Sequence, residues 1–134
     1  MKIIGLEHIG IAVDSLKSGA EFWGKIIGLK HILKEDVDGQ GVITDIYSSL
    51  NCKIELLLSK YPDSPIGKFI KKRGKGIHHI CFQVENIDDA IKHITDNDIK
   101  IIGEKVSIGA EGYKVIFIHP SSTGGVLVEL AEKQ

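Results

Sequence analysis

The chain has 134 residues and a mass of 14.7 kDa, with 17 basic and 18 acidic side chains and a formal charge of −1. That balance argues against a broad nucleic-acid surface. Hydrophobic residues at 43% and charged residues at 26% are ordinary for one globular domain. The two cysteines, Cys52 and Cys81, exclude a disulfide scaffold and point to a reducing cytoplasm.

EHIGIAV (residues 7–13) is rich in Ile and Val and predicts a strand. The start, MKIIGLEHIGIAVDSL, is short in apolar length and lacks a small-residue cleavage site after its apolar run, so a first strand is expected rather than a signal peptide, and no apolar run in the chain reaches the length of a membrane span. Asp14 and Ser15 offer helix caps, and Leu16, Ala20, Trp23 and Ile27 recur at helical spacing. Gly28 is placed to end that helix in a left-handed conformation. LKHILKED predicts a strand running to the turn VDGQG. VITDIYSSL and NCKIELLLS predict two more strands, joined by a hairpin at residues 49–51. In YPDSPIGKFIKKRGKG, Ser64 suits an N-cap and Pro65 the first helical position, predicting a short helical bridge over residues 61–75.

IHHICFQV (residues 77–84) opens a second series. A helix in ENIDDAIKHITDND starts near Asn86 or Asp88 and carries Ile87, Ala90, Ile91 and Ile94. IKIIGE predicts a strand, KVSIGAEGY a glycine-punctuated loop, and KVIFIHP with GVLVELA the closing strands.

The two series are alike. A shift of 71 positions lays HIGIAVDSL over HICFQVENI, so His8 falls on His79. A shift of 74 lays IELL over VELA, so Glu55 falls on Glu129. The expected architecture is therefore α+β: one domain over 1–134, with βαβββ modules of about 1–60 and 76–134. His8, Glu55, His79 and Glu129 occupy equivalent points of the two modules. If curved sheets close a cup around that pseudo-twofold axis, two imidazoles and two carboxylates converge in it. Such a set suits one borderline divalent cation per chain, Zn, Co, Ni, Mn or Fe. There is no HExxH or CxxC pair, so the site depends on tertiary convergence.

The segments LEHIGIAVDSL, DSPIGKFI, GKGIHHICFQVENIDDAI, IGAEGYKVIFIHP and STGGVLVEL resemble the vicinal-oxygen-chelate superfamily and, within it, the methylmalonyl-CoA epimerase family. The resemblance covers nearly the whole chain. It implies paired modules around a metal cup, an acyl-CoA substrate and a homodimer. It also implies that His8, His79 and Glu129 bind the metal with Glu55 in the remaining position. The implied reaction inverts C2 of methylmalonyl-CoA through an enolate. The alternative is a lactoylglutathione lyase (glyoxalase I-like) isomerase or another enzyme of the superfamily, because glyoxalases of bacterial type carry the same two-His, two-Glu set.

Glu129 is implied as one proton-transfer base. Epimerases of this family often carry the other as a Glu two residues after Val in a GVxE segment, but here the segment is GVIT and the position is Thr44. Threonine is no general base near neutral pH. That leaves Glu55, Asp45 or a metal-bound water, although Asp45 points to the other strand face unless a bulge intervenes. His78 likewise points away from His79. Lys68, Lys71, Lys72 and Arg73 suit a solvated helix end; the functional alternative is help with coenzyme A phosphates. His119 is a candidate to support the cup.

Overall fold

The computed structural model describes residues 1–134, apart from the side chains of Asp38 and Glu104. Eight strands and three helices follow the expected α+β order. The elements are β1 (Ile3–Val13), α1 (Leu16–Gly19) with a π-helical continuation (Ala20–Ile26), β2 (Lys30–Val37), β3 (Val42–Ser48) and β4 (Lys53–Ser59). They continue through α2 (Pro65–Arg73), β5 (Gly76–Val84), α3 (Ile87–Asp96), β6 (Ile101–Ile108), β7 (Lys114–Ile118) and β8 (Val128–Glu132). The chain divides into two compact units, His8–His78 and Met1–Glu7 with His79–Gln134.

In the first unit the strands run in the order β2-β3-β4-β1. β4 is parallel to β1 and antiparallel to β3, and β3 is antiparallel to β2. Paired residues project to the same side and successive residues alternate. One face therefore carries His8, Gly10, Ala12, Glu55, Leu57, Thr44 and Ile46. The other carries Ile11, Leu56, Leu58, Asp45 and Tyr47. α1 covers this second face: a Cβ on Gly19 would run into the Leu56 side chain, and one on Gly24 would come 3.2 Å from Tyr47.

The Ser15 hydroxyl caps α1 by accepting from the Ser18 amide at 3.2 Å. After one turn the ladder widens, and the Ile27 amide donates to the Phe22 carbonyl at 2.8 Å. The wider turn breaks the expected apolar stripe. Gly19 is buried, whereas Ala20 and Ile27 face solvent. Gly28 closes the segment at φ +86°, as its position suggested.

α2 rests on the DSPIG segment. The buried Ser64 hydroxyl accepts from the Gly67 amide at 3.0 Å and bonds the Ser59 hydroxyl at 2.6 Å. Gly67 is required by close approach, since a Cβ there would collide with the Pro62 carbonyl.

In the second unit the order is β5-β8-β7-β6, with β5 and β8 parallel. The amphipathic period of α3 buries Ile87, Ala90 and Ile94 against Val84, Ile116, Ile118 and Leu130. Each of the Ile, Val and Leu side chains contributes roughly 1.5–3 kcal/mol by leaving water. Asn86 caps α3 through the Asp89 amide at 2.9 Å, and Glu132 on β8 accepts from the Ile87 amide at 2.7 Å. The opposite face carries Cys81, Val115 and Ala131, all buried. KVSI, expected as loop, is the second half of β6; the register with β7 breaks between Ile102 and Ser107, which hides its alternation. GVLVELA is extended only from Val128 onward.

Candidate active site

His8 and Glu55 meet in the first unit. Parallel pairing sets Glu55 opposite Gly10, two residues beyond His8 and on the same face. His8 Nδ1 lies 2.6 Å from Glu55 Oε2. The second unit repeats the arrangement. Glu129 stands opposite Cys81, two residues beyond His79. His79 Nε2 lies 2.9 Å from Glu129 Oε2. The four residues are 5%, 3%, 6% and 6% exposed in chain order, so each pair exchanges hydration for its partner. Phe117, paired with Glu129 across β7 and β8, meets the His79 ring edge-on with centroids 5.8 Å apart. Gly109 brings backbone close to this pair: a Cβ there would sit 3.7 Å from Glu129 Oε1.

The donor sets suit a divalent ion. Each pair offers one imidazole nitrogen and one carboxylate oxygen from neighbouring strands, the ligand types that borderline cations take.

Asp45 is occupied elsewhere. Its carboxylate accepts from the Tyr47 hydroxyl at 3.2 Å and lies 2.6 Å from His31 Nε2, on the face opposite Thr44 and Glu55. Burial, the Asp45 charge and the Asp45 hydrogen bond together push the Tyr47 hydroxyl pKa up from its ordinary 10.0. Thr44 is buried on the Glu55 face. His78 turns away from His79 and packs edge-on against Phe69, centroids 4.9 Å apart. His119 Nδ1 accepts from the Ser121 amide at 3.0 Å and caps its own turn. Lys68, Lys71, Lys72 and Arg73 are exposed along α2.

Two buried or half-buried acids escape sequence reasoning. Glu7 is paired with Lys133 at 3.2 Å. Glu35 on β2 stands opposite Thr44, because β2 slips register between His31 and Leu33. Only the strand register reveals Glu35, and only burial in the folded chain singles out Glu7.

A fold with a parallel β1–β4 pair in one unit, its β5–β8 counterpart in the other, and the same diagonal His–Glu pair on both defines a class. The chain belongs to the glyoxalase/bleomycin resistance protein/dioxygenase superfamily, whose sequence pattern matches residues 7–117. Within it the chain is similar to methylmalonyl-CoA epimerases. The human mitochondrial methylmalonyl-CoA epimerase is 40% identical over 128 residues, covering 95% of this chain and 73% of that protein. The crystal structure of methylmalonyl-CoA epimerase from Mycobacterium tuberculosis is 30% identical with a TM-score of 0.94, over 98% of this chain and 89% of that one. A variant of the Streptomyces coelicolor epimerase, in complex with 2-nitronate-propionyl-CoA, is 29% identical with a TM-score of 0.92, over 98% of this chain and 99% of that one.

Proposed function

We propose that this chain is a metal-dependent epimerase that inverts C2 of methylmalonyl-CoA through an enolate. The observation that carries the reading is the recurrence of one buried His–Glu pair at 2.6 and 2.9 Å, in a chain 40% identical to a methylmalonyl-CoA epimerase. Residues 1–134 act as one domain in this reading, and His8, Glu55, His79 and Glu129 together hold one divalent ion.

The C2 proton lies between a thioester and a carboxylate, so its removal leaves charge spread over both groups. When bound, a divalent cation supplies Lewis acidity toward the oxygens that gain this charge. Glu129 takes the proton from one face of C2 and returns it to that face in the reverse direction. Glu55, held against His8, keeps the first-unit ligand pair aligned and is a candidate for the second transfer. Gly109 leaves room beside Val115 and Glu129: a Cβ there would press on the Val115 side chain at 3.3 Å and touch Glu129 Oε1 at 3.7 Å. The exposed cations of α2 are available to coenzyme A phosphates. A homodimer in a reducing cytoplasm, with Cys52 and Cys81 as thiols, completes the reading.

The test is a side-by-side assay of metal-loaded protein. Methylmalonyl-CoA in heavy water should epimerise and gain deuterium at C2, while the hemithioacetal of methylglyoxal and glutathione should be a poor substrate. Efficient lactoylglutathione formation without epimerisation would replace this reading with the glyoxalase one.

A further inference from the structure

We propose that Glu35 is the second proton-transfer group, taking over from the neighbouring strand the role that Thr44 cannot fill; this rests on the epimerase reading above.

The argument starts from strand parity. On the His8 and Glu55 side of the first unit, β3 presents Val42, Thr44, Ile46 and Ser48, and β4 presents Lys53, Glu55, Leu57 and Ser59. What β2 adds depends on its register. At its start His31 faces Tyr47, which belongs to the opposite, α1-covered side. Carried forward without interruption, that register would place Lys34 beside Thr44 and send Glu35 to the α1 side. The register instead shifts between His31 and Leu33. From there Leu33 faces Ile46, Glu35 faces Thr44 and Val37 faces Val42. One extra residue flips the rest of the strand, which is what a bulge does.

The consequence is selective. Among the described residues of β2, β3 and β4, Glu35 and Glu55 are the carboxylates on this face. Glu55 is already set against His8 at 2.6 Å. Asp36 and Asp45 project to the other side, Asp36 with Lys60 and Asp45 with His31 and Tyr47. Glu35 is half-buried, neither fully open to water nor sealed in the core. Its Cβ lies roughly 4.5–5.5 Å from that of Thr44, the spacing of directly paired residues. Its longer side chain carries an acid past the place where the threonine hydroxyl ends. A general base must reach the proton and must be ionisable near neutral pH. Thr44 fails the second condition; Glu35 meets it from the adjacent position.

Inversion balances with two such groups. Glu129 removes the C2 proton from one face, the electron pair delocalises into the enolate, and protonated Glu35 delivers a proton to the other face. The reverse reaction exchanges the roles, and each carboxyl group re-equilibrates with solvent.

The experiment is E35Q, metal-loaded and incubated in heavy water with each C2 epimer separately. Inversion should fall on the order of 100-fold or more. Metal content and Tm should stay at wild-type values. Deuterium should still enter the epimer that Glu129 deprotonates, without inversion, while the other epimer stays inert. The double variant E35Q/T44E, which restores a carboxylate on the same face one strand away, should recover inversion. Wild-type inversion in E35Q overturns the assignment, and so does equal loss of exchange from both epimers. A wild-type protein that neither inverts nor exchanges either epimer brings down the epimerase reading itself, and this one with it.

Discussion

His8 and Glu55 are related diagonally across two parallel strands, and their contact of 2.6 Å pairs two buried groups that each need a polar partner. His79 and Glu129 stand in the same diagonal relation at 2.9 Å. The contacts use different ring nitrogens, Nδ1 in His8 and Nε2 in His79. The backbone relation is thus repeated while the imidazole orientation is not.

Metal removal is the first prediction. An ion that binds only the folded chain stabilises it by about 2.7 kcal/mol when present at about 100 times its Kd. Chelation should therefore lower Tm by on the order of 5–10 °C. His79→Ala removes a nitrogen ligand and leaves Glu129 without its facing imidazole. It should lose most of the bound metal and on the order of 3 kcal/mol of stability. Metal analysis beside thermal melts checks both, and wild-type metal content in the variant would remove His79 from the ligand set.

The DSPI segment carries a structural prediction. Ser64 is fully buried and caps α2 through Gly67, so Ser64→Ala should cost about 1–2 kcal/mol in urea unfolding. Turnover of the folded fraction should stay unchanged. Gly67→Ala should cost more, because its methyl group meets the Pro62 carbonyl and the helix start must move. A drop in kcat at unchanged stability in Ser64→Ala would give the segment a role in the reaction.

These two cases mark how far the sequence could be read. Comparing HIGIAV with HICFQV and IELL with VELA singled out His8, Glu55, His79 and Glu129, because a duplication preserves strand order and face, but that they meet as two diagonal His–Glu pairs came from the strand registers. DSPI was legible both as a family signature and as a helix start, with Ser64 as the cap and Pro65 at the first position, but the Ser59 contact and the close approach at Gly67 needed the structure. Glu35 was not legible at all. Its face is decided by the register shift after His31, and no residue type around Ile32 announces a bulge. The π-helical turn after Gly19 was hidden for a related reason. Leu16, Ala20, Trp23 and Ile27 fit a 3.6-residue period, and nothing local marks where the ladder widens to the next carbonyl.

Tyr47 gives a pH prediction. Its pKa is raised in the folded chain, so the native state keeps this proton when the unfolded state has lost it. The associated stability is complete below the ordinary value of 10.0 and is lost as pH rises through the higher folded value. Urea midpoints at pH 8 and at about pH 11 should therefore fall more in wild-type than in Tyr47→Phe. An equal fall would mean that Tyr47 does not titrate differently on folding.

Assembly is the next prediction. Phe22, Ile26 and Ile27 on and just after the π-helical segment are exposed, Ile26 at 70%. A homodimer that covers them should sediment at about twice 14.7 kDa at micromolar concentration. Ile26→Asp should shift the equilibrium toward monomer, since a charge in an apolar contact loses hydration without gaining a partner. A mass near 14.7 kDa at all concentrations would defeat the dimer.

Glu129→Gln tests the other half of the proton transfer. The substitution keeps shape and one carbonyl oxygen beside His79, so the variant should retain measurable metal after reconstitution. It loses the ionisable acid, and inversion should fall on the order of 100-fold or more. The isotope pattern should be the mirror image of that in Glu35→Gln: the epimer inert there should exchange here, and the one that exchanged there should be inert. That crossed pattern assigns each acid to one face of C2, because loss of one base leaves the opposite face able to release and regain its own proton. If Glu129→Gln stays metal-loaded and turns over at the wild-type rate, Glu129 moves no proton.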